Sequence, residues 1–458
     1  MSRTDNIAEF ISTIKYEDLP PQVVKAAKNM IMDTLGVIVG TSRIHPEDAQ
    51  IIWKTVEAYG GKPAATELMT GKKYPAGMAG MANAVLAHGM DFDDTHGAAL
   101  THTGASLVPS SLAVCEELEA GGKDMILAAV VGFEIAVRVG MCVMPSHYSF
   151  WHSTGTNPTF GVAALTAKLL GCTKEQIMYA LGLAGTQAGG MITYLEYGDM
   201  SGALNPAKAV FNGVLSGILA KNGETAPKTM LEHEKGYSYG YCPAKTPKLE
   251  KLDEGLGSVY EILNNCPKLY PSLLASHTPI EATLSLVQEY NIKPENIKRI
   301  TERTYNTVKS HFSNYHPENE LAAQFSVPYC IAVAAAMGKM DLDSVTMDAI
   351  HNPMVQEILQ KVEIIPDPEL NQMYPEKFPA VVTIETNDGQ SYTAERYYPK
   401  GDKHNLHTQK ELEDKFRALV APVFGQEKTE KMIQLCNHLE ECQNVKELAE
   451  MFVKGGCE

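Results

Sequence analysis

Three histidines, three aspartates and two threonines fall within fifteen residues, His88–His102, which read HGMDFDDTHGAALTH. The stretches on either side, Gly77–Ala87 and Gly104–Val114, are rich in Ala, Gly, Val and Leu and nearly free of charge. A polar knot between two apolar helices is where a metal site or an acid/base site is expected. Asp91, Asp93, Asp94, Thr95, His96 and His102 offer the oxygen and imidazole donors a metal needs. No HExxH or HxxxH spacing accompanies them, however, and no phosphate-binding loop that would go with magnesium. The reading adopted is no metal and no cofactor. A plainer use of the same residues is helix capping, an ordinary task for Asp. The remaining reading is proton transfer or substrate binding.

Four further sites carry chemistry. Trp151–Pro158 (WHSTGTNP) precedes an apolar helix, so His152 sits where backbone N–H groups favour an anion. His147, just before it, reads as a surface residue. Lys268 is stiffened by Pro267 and Pro271 and is followed by His277. Tyr329 lies in FSVPY and reads either as core or as a hydroxyl donor. Leu204–Lys208 (LNPAK) opens a helix, and Lys208 in its first turn would meet an anion or face water. There is no GxSxG elbow, no GxGxxG after a strand and no CxxC pair. What remains suits proton transfer next to a carboxylate, leading to elimination, decarboxylation or reprotonation.

Length and charge frame this chemistry. The chain has 458 residues, 44% of them apolar, with 39 basic against 55 acidic side chains and a net charge of −16. Nucleic acid and anionic membranes need a positive field, so neither is expected as a partner. The nine cysteines, at 115, 142, 172, 242, 266, 330, 436, 442 and 457, sit mostly in apolar segments. They fit a reducing compartment, with Cys457 exposed. No secretory signal is read at the N-terminus and no membrane helix along the chain, so a cytoplasmic protein is expected.

The elements that must position these residues are mainly helices. Val24, Ala27, Met30, Ile31 and Leu35 recur at helical spacing over 22–39, with Pro21 placed for the first turn. Thr173 with Gln176 forms a capping-box signature for a helix over 174–185. Near residue 270 the pattern changes. Residues 300–305 and 306–311 read as extended, 321–337 as one apolar helix, and 378–386 and 392–398 as strands joined by Asn387-Asp388-Gly389. The fold class expected is mostly α: a large all-helical domain, 1–268, completed by C-terminal helices over 405–458, with a smaller inserted α+β domain, 269–404.

The motifs resemble, in order along the whole chain, those of the MmgE/PrpD family. The matching segments are Asp33-Thr34-Leu35-Gly36, HGMDFDDTH, GVAALTAKLLG, ALGLAGTQAGG, KLYP…SHTPIEA, AAQFSVPY and NDG…PKGD. The resemblance implies an all-helical domain with an α+β second domain, a homodimer, and cofactor-independent activity on a small di- or tricarboxylate. It leads to a lyase removing water from a 2-methylcitrate-like substrate; the alternatives are cis-aconitate decarboxylation, an epimerisation such as that of iminodisuccinate, and a family member without turnover. By position, Asp91, Thr95 and His102 fall in the family's first active-site segment and His152 matches its second histidine. Lys268, His277 and Tyr329 match positions from the second domain. On this reading His102 or His152 moves the proton, Asp91 orients His102, Lys268 and His277 grip a carboxylate, Thr95 and Tyr329 donate hydrogen bonds, and Lys208 binds substrate. This chain departs from the family where Gly202-Ala203-Leu204-Asn205 replaces Lys-Arg-Leu-His, and where Phe211 stands at a decarboxylase lysine.

Overall fold

The computed structural model describes residues 2–197 and 199–454, without the side chains of 196 and 197. Cys457 lies outside the described residues. The chain divides into two compact units: one of Met1–Gly89, Asp93–Pro267 and Gln409–Glu458, the other of Met90–Phe92 and Lys268–Thr408. The fold is mostly α, with a smaller β-containing region inserted between helical segments.

In the helical unit, Pro21 opens the long helix Pro21–Ile44, whose residues from Met30 to Ser42 are all buried. Pro fits a first turn because its missing N–H would have no helical partner there. Thr173 and Gln176 close the expected capping box on Lys174–Gln187. Helices Gly122–Val143 and Ser153–Leu169 pack backbone to backbone, for a Cβ on Gly161 would stand 2.4 Å from the Gly132 carbonyl oxygen. Contrary to the sequence reading, Gly122–Val143 has the length and apolarity of a membrane span. It is buried along nearly its whole length inside the unit, with Glu134 and Arg138 in its interior. Arg138 donates to the carbonyls of Glu254 (2.6 Å) and Val259 (2.9 Å), and Glu134 accepts from the Ile262 N–H (3.2 Å). These bonds fasten the irregular 254–262 segment to the helix. The C-terminal helix Gln409–Phe424 packs on Pro21–Ile44, where buried Lys415 pairs with buried Asp33 at 2.7 Å. Among the described residues of this unit, one short ladder, β1 (Ala65–Thr66) with β2 (Lys73–Tyr74), lies amid the helices.

The second unit is built on a four-stranded sheet of β3 (Ile297–Thr304), β4 (Val362–Pro366), β5 (Ala380–Thr386) and β6 (Ser391–Arg396), in the order β4-β3-β5-β6. β3 and β4 are parallel, so the chain between them must cross over, and it does so through helices. That crossover explains two departures from the sequence reading. Residues 306–311 are helical rather than extended. β3 already has neighbours on both sides, and the Asn306 N–H is capped by Asn371 Oδ1 (3.0 Å) as the chain turns away. The expected single helix 321–337 is two, Glu320–Gln324 and Val327–Met337. Pro328 offers no N–H to continue the first, and the Ser326 hydroxyl accepts from the Tyr329 N–H (3.1 Å) to start the second. The β5–β6 hairpin turns at Asn387–Gly389, with Gly389 at φ 83°.

Glu302 is the anomaly of this sheet. It is fully buried on β3 and neither carboxylate oxygen has a hydrogen-bond partner. The neighbouring Thr304 hydroxyl donates to the Pro379 carbonyl (2.8 Å), and its interaction with the Glu302 carboxyl offsets burial only in part. Burial pushes the Glu302 carboxyl up to about 8. Its folded value lies above the unfolded one, so between about pH 4.5 and pH 8 the native state keeps a proton that the unfolded chain has lost. Stability therefore falls as pH rises through that window. Glu302→Gln is expected to match the parent protein at pH 5 and to be more stable by ~1–3 kcal/mol at pH 8. Urea midpoints at the two pH values measure this; a variant equally destabilised at both would contradict it.

Candidate active site

The site of the helical unit is assembled where three helix ends meet. Helix Ala76–His88 delivers His88 at its last turn, helix Gly104–Glu117 begins two residues after His102, and His152 is the N-cap residue of Ser153–Leu169. Between the first two the chain leaves for the second unit over Met90–Phe92 and returns at Asp93. The returning loop is pinned by backbone bonds between Thr95 and Cys266 (2.8 and 2.9 Å). The His102 N–H donates to Thr154 Oγ1 (3.1 Å), and the Ser153 hydroxyl donates to the Leu100 carbonyl.

Asp93 is the centre of this arrangement. Its carboxylate is fully buried, with Oδ2 2.8 Å from His88 Nδ1 and Oδ1 3.4 Å from His102 Nδ1. The first is a hydrogen bond; the second is a looser ionic contact. Thr95 Oγ1 also reaches His102 Nδ1, at 3.3 Å. The His88 ring lies 5.0 Å from that of His102 and stacks on that of His152 at 5.5 Å. Burial works to raise the Asp93 carboxyl, but His88 and then His102 overcome it and hold it well below the usual carboxylate range. Asp93 is thus ionised, and it sets a negative charge against both imidazoles. His102 is the more open of its two partners, with 16% of its side chain exposed. Beside it, Asp94 takes the capping role expected of one aspartate in the knot. It accepts from the Gly104 N–H (2.8 Å) and the Thr103 hydroxyl (3.0 Å) at the start of the next helix. Burial and the Asp93 charge push its carboxyl up to about 6.

The other sequence-predicted residues fall as follows. Thr95, His102 and His152 are in this cluster. Asp91 lies in the excursion to the second unit, where its carboxylate meets Lys268 Nζ at 2.7 Å. Lys268 is only 1% exposed and also donates to the Asp91 carbonyl (2.9 Å). Within the helical unit the carboxylate at His102 is that of Asp93, a pairing the sequence reading did not make. His277 is buried in the second unit, edge-on to Tyr270 and 3.4 Å from the Ser272 carbonyl. Tyr329 is core: fully buried, its hydroxyl donates to the Ser344 carbonyl at 2.8 Å, which commits the proton it was expected to offer a substrate. Lys208 is half-buried in helix Ser201–Lys221, with Nζ 3.1 Å from where a Cβ on Gly189 would sit. Among the described residues it has no ion-pair partner, and burial lowers its ammonium below the ordinary value. Phe211 packs toward Gly77, leaving no cation at that place.

His147, read as a surface residue, is buried. Its two ring nitrogens reach the Tyr241 carbonyl and Thr156 Oγ1, both at 2.8 Å, and burial lowers it to about 4. Residues that sequence reasoning did not assign are His88, Asp93, Tyr194 and Asn205. Tyr194 Oη is 3.1 Å from His152 Nε2, and Asn205 Nδ2 is 3.0 Å from His152 Nδ1. A polar Leu204–Lys208 segment was visible, but nothing in it favoured Asn205 over Lys208. His88, Asp93 and His102 also form a group whose donors lie within 4.8 Å of one another, close enough to hold a metal ion. Two imidazoles and a carboxylate are a known set for such an ion; here they equally satisfy each other.

The chain matches the MmgE/PrpD N-terminal domain over residues 5–250 and the MmgE/PrpD C-terminal domain over residues 270–441. It belongs to the MmgE/PrpD family. Relatives within reach of it span nearly its whole length. It is 28% identical to a cis-aconitate decarboxylase of Aspergillus terreus, covering 98% of this chain and 95% of that protein. It is 27% identical to the human cis-aconitate decarboxylase (97% and 93%) and 25% identical to that of Mus musculus (98% and 93%).

The two adjacent aspartates of this MmgE/PrpD chain should separate cleanly. Asp93→Asn is expected to lower kcat/KM by roughly 10²–10⁴-fold, because it removes the negative charge that faces His102. Asp94→Asn should cost about 1 kcal/mol of stability as a weakened cap, and less than tenfold in rate. Steady-state kinetics with thermal denaturation of both variants measure the contrast; equal kinetic losses would contradict it.

Proposed function

We propose that this protein is a cofactor-independent decarboxylase of a small unsaturated polycarboxylate of the cis-aconitate type. The MmgE/PrpD family acts on carboxylates, and the full-length relatives named above are decarboxylases rather than dehydratases. That shifts the reading from elimination of water, favoured by sequence alone, to loss of carbon dioxide. The observation that carries the chemistry is the ionised Asp93 beneath His88 and His102. It sets a negative charge beside the most open imidazole of the cluster.

In such a reaction His102 gives its proton to one carbon of the substrate double bond. The C–CO₂ bond breaks at the allylic position, and its electron pair becomes the new double bond. One proton is gained and one carbon dioxide leaves, so no redox partner is required. Negative charge on the remaining carboxylates needs a cation; Lys208, half-buried on the helix that carries Asn205 and without an ion-pair partner among the described residues, is the candidate in the helical unit. Thr95 holds the His102 ring in orientation. Dehydration or epimerisation would use the same histidine in reverse, as a base.

The two directions differ in their pH dependence. A general acid works in its protonated form, so decarboxylation should be lost as pH rises through the apparent pKa of the histidine–aspartate group. Proton abstraction should be lost as pH falls through it. The direct experiment incubates the protein in D₂O with cis-aconitate, 2-methylcitrate and citrate, and resolves the products by mass spectrometry. The expected result is carbon dioxide and a diacid with one carbon-bound deuteron from cis-aconitate alone, abolished in His102→Gln. A conjugated product of water loss from 2-methylcitrate without carbon dioxide would overturn it.

A further inference from the structure

Both ring nitrogens of His152 are taken by neighbours in its own unit. Nε2 faces Tyr194 Oη at 3.1 Å and Nδ1 faces Asn205 Nδ2 at 3.0 Å. The Tyr194 ring also lies against the imidazole, with centroids 4.9 Å apart. Three glycines make room for this grip. A Cβ on Gly202 would come within 2.7 Å of the Tyr194 ring. One on Gly155 would come within 2.8 Å of Asn205 Cβ, and one on Gly190 within 2.9 Å of Asn205 Oδ1. The backbone is tied as well, since the His152 N–H donates to the Gly190 carbonyl (2.9 Å). Gly202 and Asn205 are two of the positions at which this chain departs from the Lys-Arg-Leu-His of its family.

Asn205 turns its amide nitrogen, not its oxygen, toward the imidazole. An amide NH₂ only donates, so Nδ1 must keep its lone pair toward Asn205. A neutral imidazole then carries its hydrogen on Nε2 and donates it to the Tyr194 oxygen. An imidazolium would set an N–H against the Asn205 amide hydrogens.

We propose that Asn205 and Tyr194 are positioning residues that clamp His152 as its Nε2–H tautomer, so that His152 frames the site and does not carry the proton. The charged and titratable groups around His152 agree with this. Burial, then His88 and His102, push its protonation well below the ordinary range; Asp93 opposes them and His147 adds to them. In the decarboxylation proposed above, which this consequence rests on, the proton is left to His102. The clamp itself stands apart from that reading. The Tyr194 O–H hydrogen is left for an acceptor other than His152.

The test is nuclear magnetic resonance of the full-length protein with ¹⁵N-labelled histidine, using the wild type, Asn205→Asp, Asn205→Ala and Tyr194→Phe. The wild-type His152 ring should show only the Nε2–H pattern from roughly pH 5 to pH 8, the range in which an ordinary histidine titrates. Asn205→Asp replaces the donor by an acceptor and should make the ring take up a proton, its midpoint rising by more than about one unit. Asn205→Ala and Tyr194→Phe should each mix the tautomers. An Nδ1–H or imidazolium pattern in the wild type overturns the proposal, as does an Asp variant that titrates like the wild type. The wild-type spectrum decides the tautomer even if a variant fails to fold. Absence of turnover with any carboxylate would defeat the proposed function while leaving this result intact. Where turnover is measured, Asn205→Asp should add an ionisation to the pH–rate profile that the wild type lacks.

Discussion

A carboxylate taken wholly out of water is costly unless N–H donors or cations close around it. Asp93 is such a group, and two imidazoles close around it. The contact acts in both directions. The histidines keep Asp93 ionised, and the ionised Asp93 accepts from His88 and holds His102 beside it. This group is dry underneath and open at one edge. His88 seals it from below at the end of an apolar helix, while His102 sits at the more accessible side.

The rest of the unit is arranged to hold three chain segments in register around that charge. Asp94 caps the helix that follows His102, so the same pair of adjacent residues divides chemistry from structure. The His152 segment is fixed to the His102 segment through Thr154 and Ser153. Behind them lies a second buried pair, Asp33 with Lys415, which brings a C-terminal helix against the helix of the Asp-Thr-Leu-Gly motif. The Asp93 charge raises the carboxyls of both Asp33 and Asp94, adding to the effect of their burial.

Local signals carried much of the fold. The helical spacing over 22–39, the Thr173–Gln176 capping box and the Asn387–Gly389 turn all depend on neighbours within one or two turns. What failed depended on the tertiary setting. Residues 306–311 have strand composition, but β3 had no edge left to continue along. Pro328 marked a helix break that an apolar run disguised. The site was legible as a place and not as a set of pairings. In Asp-Phe-Asp-Asp, composition does not say which carboxylate points where. The backbone decides it, for Asp91 takes a left-handed conformation with φ 48° and its side chain meets Lys268, while Asp93 meets the histidines. His147 looked exposed because its partners, the Tyr241 carbonyl and Thr156, are distant or unremarkable in sequence. Asn205 and Tyr194 gave no signal, because neither residue type stands out until His152 lies between them.

The proposed proton transfer requires Asp93 and His102 to act as one unit. A double-mutant cycle on turnover, combining Asp93→Asn with His102→Gln, tests that coupling most directly. If the carboxylate works only through the imidazole, the double variant will be no slower than the slower single one. Losses that simply multiply would mean that the two residues act independently, and the shared proton at the centre of this site would not exist.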